Sequence, residues 1–403
     1  MRNSNKMKRL IIIFIFAFYG NNIFSQKADI DINQIENYVI FLDNVELSAK
    51  DYILSKFQKY DIVILTERYH QEETQYELIN EIIKDNYFIS NVGNVCIEIG
   101  SSNQTDSLNN FLKYFNGNLE NGNSKLLEFQ RSISFYPIWN KDNYYVFLKN
   151  ILSVNYNLKP EKKINLYLCD REFNWNKIRT KKDWEQTINN DRDSIIARNI
   201  SNHFEKIQIS PRKKMLVILN EAHAIPNTEW IDMWQKRAAQ YLSEKYGNER
   251  IASILINSVK TNENDEDILI QKGYWDAAFK IAEKDNVGFD FQDSPFGKDK
   301  FDYAVGKNNE LFHYQDIFTG FIFYKTIEQH KLSIGVDNII TTDFRSEFLR
   351  RINIYNGNEY YEKLKGDTVL IGWNKKEYYQ YDNLEIMINE ILRINKMYKE
   401  MKN

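Results

Sequence analysis

Glu67 and His70 stand three residues apart, directly after the apolar run Ile62-Val63-Ile64-Leu65. On a turn or a first helical turn that spacing brings both side chains to one side. A carboxylate beside an imidazole can raise its basicity, orient it, or share a metal with it. Two further apolar runs end in the same kind of chemistry: Cys96-Ile97-Glu98, and Leu219-Asn220-Glu221-Ala222-His223. Burying Glu98 unpaired would be costly. It therefore needs a partner, either a structural one in Arg68 or Arg192, or a site. Buried acids cluster at functional sites, which favours the second reading. Together Glu67, His70, Glu98 and His223 form a set of two histidines and two glutamates. That set suits a divalent metal such as Zn, Mn or Co. It equally suits metal-free chemistry in which His70 activates water and the acids orient it.

Weaker candidates surround these. Asp170 ends another apolar run and caps the next segment or holds Arg171 or a site histidine, with the structural reading preferred. Arg192, in Asp191-Arg192-Asp193, reads first as a surface helix charge and second as a group for an anionic intermediate. Asp302 is another candidate strand-end acid, while His203, His313 and His330 read as structural. The aromatic cluster at 135–147 reads as core, or as the lining of an apolar pocket. No glycine-rich phosphate loop, no G-x-S-x-G elbow and no H-E-x-x-H motif is present, so a serine α/β-hydrolase is excluded.

The elements that must position these residues alternate. Opening helices are expected over 33–59, a strand at 61–65, and a helix at 72–87 with Tyr76, Ile79 and Ile83 on one stripe. Further strands are expected at 95–99, 164–169, 215–219 and 251–256, with a sixth at 301–305. A long helix is predicted over 182–208, and a mostly helical stretch over 343–403 with a short extended piece at Val369–Ile371. Such alternation predicts an α/β fold with a central, mainly parallel sheet and helices on both faces. Residues 101–160 read as a helical insertion or cover over the strand ends, where open α/β sheets bind ligands.

The 403 residues carry a net charge of −3 with mixed signs, so nucleic acid is an unexpected partner. Lys6, Lys8 and Arg9 precede a short apolar run, Leu10–Tyr19, and Ser25 precedes Gln26. This matches a secretory signal peptide over about 1–25, too short for a membrane span, and predicts a periplasmic or secreted protein. Cys96 and Cys169 are expected as two free buried thiols, with a bridge open if their strands are neighbours.

At these residues the chain resembles the erythromycin esterase-like group, related to the TIKI/TraB and ChaN-like families. The resemblance is carried by Leu65-Thr66-Glu67-Arg68-Tyr69-His70, by Val95 to Gly100, by Arg192-Asp193-Ser194-Ile195-Ile196-Ala197-Arg198-Asn199, and by Asn220-Glu221-Ala222-His223, in family order. The chain departs from the pattern at Thr66, where the family has glycine, and at Asn220, where it has glycine or histidine. The resemblance implies a domain over 26–345 with the insertion at 101–160, and a helical extension over 346–403. It implies His70 as general base, Glu67 and Glu98 as its partners or metal ligands, and His223 as a site residue, with Arg68, Asp170, Arg192 and Asn220 around them. The expected function is an exported hydrolase acting on an ester, lactone or peptide bond of a small molecule or peptide. The alternatives are a ChaN-like haem- or iron-binding protein and an inactive relative that serves protein contacts.

Overall fold

The computed structural model describes residues 31–188, 191–226, 235–262, 264–302, 312–366 and 372–403. The expected signal segment and the stretch at Val369–Ile371 lie outside them. The strands are β1 (Ile62–Glu67), β2 (Asn94–Ser101), β3 (Asn165–Asp170), β4 (Met215–Asn220), β5 (Ile251–Ile256), β6 (Val259–Thr261), β7 (Asp267–Leu269), β8 (Asn286–Asp290), β9 (Gly320–Tyr324), β10 (Leu332–Ile334) and β11 (Glu377–Tyr379). The helices are α1 (Ile32–Asp43), α2 (Ala49–Lys56), α3 (Thr74–Lys84), α4 (Thr105–Tyr114), α5 (Leu119–Ser132), α6 (Asp142–Tyr156), α7 (Lys181–Ile188), α8 (Arg192–Ile207), α9 (Ala238–Tyr246), α10 (Tyr274–Ile281), α11 (Tyr314–Ile317), α12 (Arg345–Asn356), α13 (Asn358–Lys365) and α14 (Leu384–Lys402).

Seven strands form one sheet in the order β3-β2-β4-β1-β5-β9-β8. All neighbours are parallel except β8, which runs antiparallel to β9. The fold is α/β, with helices covering both faces. Every residue of β1 is buried, as continuous apolar runs in a doubly covered sheet require. Its alternate residues serve two cores: Val63 and Leu65 pack with helices α2 and α3, while Ile62 and Ile64 pack with α8 and α9. A third core joins α1 and α10 to β8 and β9 through Trp275, Phe279, Phe289 and Phe321. Helices α4, α5 and α6 make up the expected insertion. Helices α12 and α13 share a cluster with Ile138 of that insertion.

Two expected elements differ. The long helix over 182–208 is two helices. The Asp191 side chain accepts the backbone N–H of Ser194 and so caps α8, which starts the helix afresh and puts Arg192 and Asp193 in its first turn. The sixth strand expected at 301–305 is not formed by Phe301 and Asp302, and its remainder lies outside the described residues. The sheet is instead extended by β9 and β8. Cys96 and Cys169 are both free and buried on neighbouring strands. Among the described residues no helix is long and apolar enough to cross a membrane.

Candidate functional site

The chain leaves β1, skips one place to β2, and later returns through β4 to fill the gap. The carboxyl ends of β1, β4 and β2 therefore lie side by side, with Glu67 in register with Asn220. Beyond Ile97 the pairing of β2 with β3 shifts at a bulge. Gly100 there has φ of +132°, and a Cβ on it would meet the Leu168 side chain at 2.6 Å, so glycine is required.

The turn after β1 is held from all sides. Gln75 Oε1 accepts the Arg68 N–H, its Nε2 donates to the Tyr69 carbonyl, and Asn143 Nδ2 donates to the His70 carbonyl. The turn aims His70 Nδ1 at Glu67 Oε2, 2.8 Å away. The second oxygen of Glu67 accepts the Tyr76 hydroxyl at 2.7 Å. In the neutral ring this contact puts the proton on Nδ1 and leaves Nε2 bare. That nitrogen faces Glu98 Oε1 at 3.8 Å. His70 is 24% exposed, whereas Glu67 and Glu98 are sealed.

Glu98 is the hub. Its Oε2 accepts the backbone N–H of Asn220 at 2.8 Å. Its Oε1 has three cationic or imidazole neighbours: Arg192 Nη2 at 2.9 Å, His223 Nε2 at 3.5 Å and His70. Arg192 is the nearest of them, at ion-pair distance though off the line of a regular hydrogen bond, so this buried oxygen is held chiefly by charge. Burial opposes its charge, but His223, Arg192 and His70 more than offset that and hold the carboxyl down at about 2.

Arg192 is fixed by Asp170, which accepts from Nε at 3.1 Å and Nη2 at 2.9 Å. Its Nη1 lies 3.1 Å from His223 Nε2, which accepts only in the neutral ring. His223 Nδ1 is 2.7 Å from Asp193 Oδ1, which also accepts the Ala238 N–H. Burial works against charge on both histidines. For His70 the carboxylates of Glu67 and Glu98 more than offset it, and for His223 those of Glu98 and Asp193 do, so both are held above the ordinary value.

The structure thus brings together Glu67, His70, Glu98, Asp170, Arg192, Asn220 and His223. Arg192 corrects the sequence reading: it lies inside the site because the cap at Asp191 aims the first turn of α8 at the strand ends. Arg68 is also corrected. It is fully buried and turned away, paired with Glu72 rather than with Glu98. Asp302 holds Lys260, Gln271 and Tyr314 elsewhere, and His203 stacks on Tyr167. Three residues escaped the sequence reading. Asp193 had a signal, since it follows Arg192 in the helix motif. Tyr76 was counted as apolar stripe. Glu221 was quoted only as a neighbour, yet burial pushes its carboxyl up to about 8 and its Oε2 has no partner.

Thr66 and Asn220 each have a structural role of their own. Thr66 Oγ1 accepts the Ile256 N–H at 2.9 Å, prolonging the β1–β5 ladder beyond its last backbone pair. Asn220 accepts the Ala222 N–H and donates to the Arg68 carbonyl, so it caps one turn and ties down the other.

As arranged, Glu67, His70, Glu98 and His223 do not fit a divalent ion. Glu67 is spent on the far nitrogen of His70, and the Arg192 guanidinium stands against both Glu98 and His223. Among the described residues no group of three or more His, Cys, Asp or Glu side chains converges as a ligand set.

No family model matches the chain, and no curated protein matches it either. Three solved structures are similar in outline. A protein from Bacillus cereus shares 14% identity over 73% of this chain and 97% of its own, with a TM-score of 0.44. A succinoglycan biosynthesis protein shares 12% over 72% and 96%, with a TM-score of 0.47. The type III effector HopBA1 shares 13% over 55% and 92%, with a TM-score of 0.33. None of the three bears on what this chain does.

Proposed function

We propose that this protein is a hydrolase that activates water at His70 against an ester, lactone or peptide bond, in the manner of the erythromycin esterase-like group its motifs resemble. One observation carries the reading. Nε2 of His70, bare in the neutral ring, and Oε1 of Glu98, which Arg192 holds by its charge, lie 3.8 Å apart. A water between them would give a proton to each in hydrogen bonds and turn its lone pairs outward. His70 Nε2 takes the proton as the water oxygen bonds to the carbonyl carbon. Glu67 steadies the imidazolium that forms, through Nδ1. The tetrahedral oxyanion is met by Arg192, which His223 and Asp170 orient. Collapse breaks the bond to the leaving oxygen or nitrogen, which takes the proton back from His70. The products are an acid and an alcohol or amine, with one water consumed.

The test is hydrolysis of an ester, lactone and peptide panel by the wild type and by His70→Ala. The variant should lose about 10²–10⁴-fold in kcat/KM while its thermal midpoint stays within a few degrees. Retained turnover in a folded variant would remove His70 from the mechanism.

A further inference from the structure

The loop between α5 and α6 crosses the whole site. At one end the Arg192 guanidinium stands 5.9 Å from the Phe135 ring. At the other end Trp139 meets the His70 ring edge-to-face, with centroids 5.2 Å apart. Tyr136 lies between, 5.6 Å from Trp139 and within electrostatic reach of Arg192, Asp170 and Glu98.

The backbone of this loop is pinned. The Ser134 and Tyr136 carbonyls accept the Trp175 indole, the Pro137 carbonyl accepts Arg351, and the Trp139 carbonyl accepts Gln130. Ser101, at the end of β2, donates twice to the Ile133 carbonyl. Two side-chain donors are nevertheless left over. The Trp139 Nε1–H is buried without an acceptor. The half-buried Tyr136 hydroxyl makes no hydrogen bond among the described residues. Burial pushes that phenol up from its ordinary value, so it stays a donor at neutral pH. A buried donor without a partner is rare enough to require an explanation, which Trp139 Nε1 therefore needs, and the half-buried Tyr136 hydroxyl sits beside it on the same pinned loop, next to the reacting groups.

We propose that Tyr136 and Trp139 are substrate-binding residues whose O–H and N–H receive oxygen acceptors on an anionic or carbonyl group, while their rings flank an aromatic or flat apolar substituent. This deepens the hydrolase reading and rests on it for the nature of the substrate, not for the existence of binding.

The test uses phenylphosphonate, a ring joined to a tetrahedral anion, and the full chain labelled with [15N]tryptophan. Of the seven tryptophans, the indole cross-peak missing in Trp139→Phe is that of Trp139. It should move as phenylphosphonate is titrated in, and should stay still with phenyltrimethylammonium. Tyr136→Phe and Trp139→Phe should each weaken binding by about fivefold, the ordinary worth of one hydrogen bond. Should Trp139→Phe fail to fold, Tyr136→Phe alone decides. No binding, an unmoved Trp139 peak, or variants that bind as tightly as the wild type would overturn the proposal. Absent turnover on the ester, lactone and peptide panel would instead defeat the hydrolase reading and leave a phosphonate result standing.

Discussion

Two buried ionic clusters begin at adjacent residues, Glu67 and Arg68 at the end of β1, and are built to opposite ends. Around Arg68 every valence is closed. Its five N–H groups meet Asn257 through both carbonyl and side chain, Glu72, Thr74 and the Tyr324 carbonyl. Glu72 in turn takes the backbone N–H groups of Thr74 and Gln75. Around Glu98 one oxygen is held by the charge of Arg192 at 2.9 Å, off the line of a regular hydrogen bond, and Nε2 of His70 stands 3.8 Å from it. The first cluster stitches β1, β5 and β9 together; the second is the one we propose to receive a reacting molecule. A buried charge does not by itself mark a site.

The sharpest way to break this contrast is Arg68→Met. It strands Glu72 in a sealed interior, and loss of one partner of a buried pair costs about 3–5 kcal/mol. Urea unfolding should show that loss, and a shift under 1 kcal/mol would make the closed cluster dispensable. Glu98→Gln should cut kcat/KM by about 10²–10³-fold and, because it takes the carboxylate from Arg192 and His223, should lower the unfolding midpoint as well.

Both clusters should lose stability in acid, since Glu72 and Glu98 are each held down at about 2, and only the second should also answer pH above 6.5. Burial opposes charge on Glu72, but Arg68 prevails and its carboxyl is held down at about 2. Its contribution to stability is complete above its ordinary value of 4.5 and fades as pH falls toward 2. His70 is held above 6.5 in the fold, so its contribution is complete below 6.5 and fades as pH rises through the folded value. The base form needed for catalysis therefore appears only above 6.5, and kcat/KM should climb there. Glu67→Gln should move that climb to lower pH; an unmoved profile would separate Glu67 from the basicity of His70. The smallest effect is expected at Thr66→Val, which leaves the Ile256 N–H unmet and should cost about 1–2 kcal/mol in the same urea measurement.

Much of this was legible in the sequence because strand ends announce themselves. Apolar runs stopping at Glu67, Asp170 and Asn220 gave the parallel sheet and the edge where its chemistry gathers. The Glu67–His70 pair was readable because its spacing is local. Arg192 and Asp193 were not, since their place depends on the cap at Asp191 that divides what looks like one long helix. Arg68 misled for a related reason: a strand-end arginine can turn to either side of its strand, and only the β5 and β9 partners decide which. Tyr136 and Trp139 looked like core aromatics, because nothing in a sequence shows a donor left without an acceptor.

The strand order has a consequence for the making of the protein. When β1, β2 and β3 have been synthesised, β1 and β2 still have no common border, for the strand that separates them has yet to appear. Two apolar edges must wait, bare and liable to pair with the wrong neighbour, until residues 215–220 slide between them. The strand that heals the sheet also delivers Asn220 and His223. The proposed site therefore cannot assemble before residues 215–223 have taken their place between β1 and β2.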